Sequence, residues 1–73
     1  MKKLKGKIVE IRVGYHAKDG LKQGDLVEIL DHWWEDLFEG TTSLGKRPKI
    51  RARSLEPPYV EKDIDMADVI IKD

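Results

Sequence analysis

The residues of this chain that carry reactive or metal-ligating groups are His16 and His32, the serines Ser43 and Ser54, and 14 side-chain carboxylates; cysteine is absent. Hydrolytic chemistry needs a nucleophile next to a base that a third group orients. Here a histidine would have to reach Ser43 or Ser54 from a distant part of the chain, no G-x-S-x-G turn is present, and 73 residues leave little scaffold for a water-excluding pocket. A metal site would have to draw on His16, His32 and neighbouring carboxylates such as Asp31 and Asp36, whose spacing fits no ligand pattern and which lack thiolate support. Gly40-Thr-Thr-Ser-Leu-Gly45-Lys46-Arg47 has neither the four-residue gap nor the Gly-Lys-Ser/Thr ending of a phosphate loop. The expectation is a protein without enzymatic activity, metal or cofactor, leaving binding as its chemistry.

Two constellations suit binding. Trp33 and Trp34 stand beside Glu35, Asp36 and Phe38, and adjacent side chains diverge whether the segment is strand or helix. One indole can fill the core or its rim while the other is an aromatic anchor in an acidic surround, of the kind that dominates binding energy in protein complexes. The second constellation is Lys46, Arg47, Lys49, Arg51 and Arg53, where alternation puts Lys49, Arg51 and Arg53 on one face about 6.5 Å apart, able to follow a phosphate backbone or an acidic protein surface. No stacking ring interrupts this run, and the net charge of the chain is +0, whereas nucleic-acid domains are usually basic.

The neutral total hides segregation. Lys2, Lys3, Lys5 and Lys7 open the chain, Asp25, Glu28, Asp31, Glu35, Asp36 and Glu39 form an acidic middle, the basic run follows, and Glu56 to Asp73 holds six acids against Lys62 and Lys72. Opposed strands of opposite charge stabilise one another, so internal pairing of these blocks is expected.

The elements that must position these groups read mainly as strands. Leu4 to Val13 is β-branched, with Val9, Ile11 and Val13 on one face; Asp19-Gly20 and Gly24-Asp25 are turns; Leu26 to Leu30 is a strand with few polar residues. In Asp31 to Glu39, Leu30, Trp33, Trp34, Leu37 and Phe38 fall at i, i+3, i+4, i+7 and i+8, which predicts one short helix capped by Asp31 and ended by Gly40. Residues 40–48 have the composition of an exposed loop, Lys49 to Leu55 is a half-buried strand stopped by Pro57-Pro58, and Tyr59 to Ile64 and Asp68 to Ile71 are two further short strands.

Four to five strands and one short helix predict a single domain over residues 1–73, mainly β, built as a small antiparallel curved sheet or an SH3-like barrel. Leu21-Lys-Gln-Gly-Asp-Leu-Val-Glu-Ile29 resembles the Lys-x-Gly-Asp-x-Val turn and strand of SH3-like barrels and of AbrB-type swapped-hairpin domains. The likeness spans nine residues and recurs in unrelated β proteins, because glycine and aspartate make a turn before a buried strand.

A chain this short has a thin margin between apolar burial and ordering entropy, and it has no disulfide or metal staple. A homo-oligomer or a hetero-complex is the expected substitute. The N-terminus lacks the apolar run of a signal peptide and no segment approaches a membrane span, so a cytoplasmic location without membrane contact is expected. The reading is a small protein-binding regulator, inhibitor or accessory subunit. The alternative is a nucleic-acid-binding SH3-like or AbrB-like module using the basic run at 46–53, the 40–48 loop and the lysine-rich N-terminus.

Overall fold

Val9 and Ile11, Val27 and Ile29, and Ile50 and Ala52 are each spaced two apart, which on extended chain sends both side chains of a pair to one face. In the computed structural model, which describes residues 4–71, these six form the buried core with Leu21, Ile64 and Val69. Leu4, Val60 and Met66 pack against its margin. Lys2, Lys3, Lys72 and Asp73, counted above in the charged blocks, lie outside the described residues.

Five strands carry the core: β1 (Ile8–Ile11), β2 (Leu26–Glu39), β3 (Thr42–Ser54), β4 (Glu61–Asp65) and β5 (Val69–Ile70). They form one antiparallel sheet in the order β4-β3-β2-β1-β5. The first four strands follow one another as a meander, and β5 returns to the free side of β1. β4 and β5 do not pair, so the sheet is not closed. Single 3-10 turns at Ala17–Asp19 and Met66–Asp68 are the only helical segments among the described residues, and no helix there is long and apolar enough to cross a membrane.

Two expectations need correction. Residues 31–39 form no helix; they are the second half of β2. Residues 40–48 are mostly strand as well, because the chain reverses over Gly40-Thr41 alone and β3 begins at Thr42. Gly40 has φ +61, which suits the first central position of the two-residue hairpin turn that matches strand twist. The apolar residues imitate a helix because the alternation of β2 changes phase at a bulge. The register passes from Ile29 opposite Ala52 to Asp31 opposite Arg51, leaving Leu30 as an extra residue. Before the bulge Val27 and Ile29 face the core. After it His32, facing buried Ile50, and Trp34, facing Pro48, lie on that side.

Ile50 is fully buried in the strand between β2 and β4. Ile50→Ala is expected to lower stability by about 2–5 kcal/mol and Ile50→Val by about 0.5–1.5 kcal/mol. Urea unfolding midpoints at unchanged m-value measure both; a loss for Ile50→Ala within that smaller range would contradict this placement of the core.

Candidate functional site

β2 and β3 are far longer than their neighbours. β1 pairs with Leu26, Val27 and Glu28 of β2, and β4 pairs with Lys49 to Arg53 of β3. Beyond those positions the two strands continue as a two-stranded arm, with no third strand on either side among the described residues.

The arm has two unlike faces. Asp31, Trp33, Glu35 and Leu37 lie on the outer one, and His32, Trp34, Asp36 and Phe38 continue the core side. Trp33 is half-buried, with the Arg51 guanidinium 5.9 Å from its ring centroid, a cation–π distance. Trp34 is 64% exposed and Phe38 61%. Trp34 lines a groove of about 180 Å³ with Leu4, His32, Trp33, Pro48 and Met66. The five residues of the aromatic and acidic constellation thus share one arm but not one face.

All five cations of the basic run have an acidic partner within the chain. Lys46 lies 3.9 Å from Asp36, Arg47 3.2 Å from Asp65, Lys49 3.9 Å from Glu35, Arg51 2.9 Å from Asp63 and Arg53 3.2 Å from Glu28. The register explains this, since β3 runs between two acidic strands and offers cations to both. The hydrogen bond and charge of Asp63 raise Arg51 still further above its ordinary range. A phosphate backbone arriving here would displace existing partners.

The two histidines are far apart in role. His32 is exposed on the arm, whereas His16 is buried in the β1–β2 loop. His16 Nε2 lies 2.8 Å from Asp68 Oδ2 and Nδ1 lies 3.0 Å from Lys62 Nζ, and Lys62 also donates to Asp19. A carboxylate only accepts and an ammonium only donates, so the neutral tautomer with Nε2–H bonded to Asp68 and Nδ1 accepting from Lys62 satisfies every group. Burial pushes the Asp68 carboxyl up, but hydrogen bonds from Tyr15 and His16, with the charge of Arg12, outweigh it and hold the group below its ordinary value. The same bond to Asp68 raises the Tyr15 phenol.

Chemically this network is closed. Both ring nitrogens of His16 are engaged, and the serine hydroxyls bond locally, Ser43 accepting from the Gly45 amide and Ser54 donating to the Glu56 carbonyl. No group of three or more metal-ligating side chains gathers among the described residues. What the network does is tie the β1–β2 loop to β4 and to the turn before β5. Sequence marks none of Asp19, Lys62 and Asp68 as a site residue; their hydrogen bonds to one another and to His16 span 43 to 52 residues, and no local pattern reveals them.

Comparison with family models, with curated protein sequences and with solved structures finds no match to this chain.

Two measurements test these placements. Trp33→Phe, which leaves Trp34, is expected to emit further to the red and be quenched more readily by acrylamide than Trp34→Phe; equal spectra and equal quenching would contradict the two environments. Asp68 is held below the unfolded carboxylate value of about 3.9, so its contribution is complete above that pH and is lost as pH falls through the lower folded value. Asp68→Asn should therefore be less stable than wild type at pH 7, by about 1–3 kcal/mol for a buried bonded group. The gap should narrow toward pH 3, and a gap constant across that range would refute the assignment.

Proposed function

We propose that this chain is a non-enzymatic protein-binding module, a regulator, inhibitor or accessory subunit that docks through the β2–β3 arm. The observation that carries the reading is Trp34 and Phe38 of β2, 64% and 61% exposed, on a two-stranded arm that no third strand among the described residues covers. A lone two-stranded ribbon is marginal in water, and large aromatics in such a place are the residue types that anchor protein interfaces. Asp36 stands between these rings on the same face, so a partner with basic character fits better than an acidic one. Oligomerisation or a hetero-complex belongs to the same proposal, and so does a relation to SH3-like barrels, supported by five antiparallel strands of which the first four form a meander.

The nucleic-acid alternative relies on Lys46, Arg47, Lys49, Arg51 and Arg53. Their ion pairs argue against it, because each phosphate contact would exchange one partner for another. Titration with duplex DNA, single-stranded DNA and RNA at two salt concentrations should show no more than nonspecific affinity, about 10⁻⁴ to 10⁻⁶ M at physiological salt. In parallel, a protein retained from the source organism's lysate by wild type should be lost with Trp34→Ala/Phe38→Ala. Submicromolar nucleic-acid binding that Arg51→Ala/Arg53→Ala abolishes without unfolding would reverse the order of the two readings.

A further inference from the structure

Resting on that protein-binding reading, we propose that the arm takes its partner by strand addition at the free edge of β2, and that the added segment is extended and basic. The backbone comes first. Gly6 donates to the Ile29 carbonyl at 2.6 Å and Ile29 donates to the Lys7 carbonyl at 2.9 Å, so the chain before β1 covers β2 as far as Ile29. From Asp31 to Glu39 no strand among the described residues lies on that side.

The two edges of the arm are unlike. On β3 the free stretch contains Pro48, which has no N–H, and a bulge where Leu44 is extra and Gly45 has φ +105, with Lys46 and Arg47 between them. Proline, bulges and lysines are the devices that keep an edge from pairing. On β2 the nine residues from Asp31 to Glu39 include no proline and no glycine, and the second bulge adds its residue to β3. One edge is guarded and the other can accept a strand.

Charge then selects the occupant. The open stretch holds Asp31, Glu35, Asp36 and Glu39 and no Lys or Arg. Antiparallel pairing with the same stretch of a second copy, centred on Glu35, would set Glu35 against Glu35 and Asp31 against Glu39, and like charges directly opposed are destabilising. The basic β3 edge of a second copy has the right sign but carries the proline and the bulge. The existing partners of Glu35 and Asp36 sit at 3.9 Å, the outer limit of an ion pair, and Asp31 and Glu39 form none within the described residues. A basic segment of another protein meets these conditions. Its residues facing the outer side would meet Asp31, Glu35 and Glu39, and those facing the core side would meet Trp34 and Phe38, so it alternates basic with apolar residues.

The probe is a nine-residue peptide of alternating Lys and Val, compared with its Glu/Val counterpart and with a Lys/Val peptide N-methylated at alternate residues. Backbone amide NMR of the ¹⁵N-labelled full chain should show shift changes and slowed hydrogen exchange confined to 31–39 with the first peptide, and neither change with the other two. Glu35→Lys/Glu39→Lys should reverse the preference, weakening Lys/Val binding by about tenfold or more, since charge opposition sets partner choice; Glu35→Gln/Glu39→Gln keeps the test available if the charge swap perturbs the fold. Binding unchanged by N-methylation, or equal for both peptide charges, overturns the proposal. So does slowed exchange at 31–39 that rises with protein concentration and needs no peptide, which would assign the edge to a second copy. A lysate partner that depends on Trp34 and Phe38 but leaves exchange at 31–39 unchanged would sink strand addition while the protein-binding reading stands.

Discussion

The pleat of β3 is the constraint on which the rest of this structure depends. Because its side chains alternate, Ile50 and Ala52 enter the core while Lys49, Arg51 and Arg53 point away from it. β2 and β4 flank it with acids on the outer face and apolar residues on the inner one. Burying an isoleucine is worth about 1.5–3 kcal/mol, and an exposed ion pair about 0–1 kcal/mol. The core therefore supplies the stability, and the ladder of charges acts mainly on register. A slip of one residue would turn three cations into the core and Ile50 and Ala52 out of it, so both terms oppose the same error.

How far the sequence discloses this depends on the range of each interaction. The alternation of Ile50, Arg51, Ala52 and Arg53 is local, and it marks the strand and its buried face correctly; the run from Leu26 to Leu30 marks the start of β2 as well. The expected pairing of charge blocks follows from the same alternation. Residues 31–39 mislead for an equally physical reason. The bulge at Leu30 shifts the phase of β2, and on an arm with two wet faces aromatic residues sit on both sides, so Leu30, Trp33, Trp34, Leu37 and Phe38 mimic a helical stripe. The 40–48 segment misleads because its glycines, threonines and serine are turn-forming residues, whereas only Gly40-Thr41 make the turn and Gly45 serves a bulge.

The buried network around His16 was not legible at all. It joins the β1–β2 loop to Lys62 and Asp68, 43 to 52 residues further on, and each member looks ordinary in its own neighbourhood. Its physical logic is complementarity within a confined space: an acid held ionised by two hydrogen bonds, a histidine whose tautomer satisfies both neighbours, and a lysine whose charge is shared with Asp19. No buried side-chain polar atom in the described residues is left without a partner. In a chain without cysteine, and with no group of three metal-ligating side chains among its described residues, this cross-link restrains the longest connection, the β1–β2 loop, which otherwise adds only Leu21 to the core.

The arm stands against that economy. Fixing a residue's backbone costs about 1–2 kcal/mol, and the core repays it through buried apolar area. From Asp31 to Pro48 no side chain is fully buried, yet both strands run their full length. Cross-strand pairs contribute only about 0.2–1 kcal/mol each, so the ribbon's own contacts offset a small part of its ordering cost. The same residues hold the chain's two tryptophans, its one phenylalanine and an acidic edge that no strand among the described residues covers. A stretch that is costly to order, rich in anchoring side chains and open along its backbone gains most when another surface covers it. The features that make the arm marginal in isolation are those that make it suited to binding.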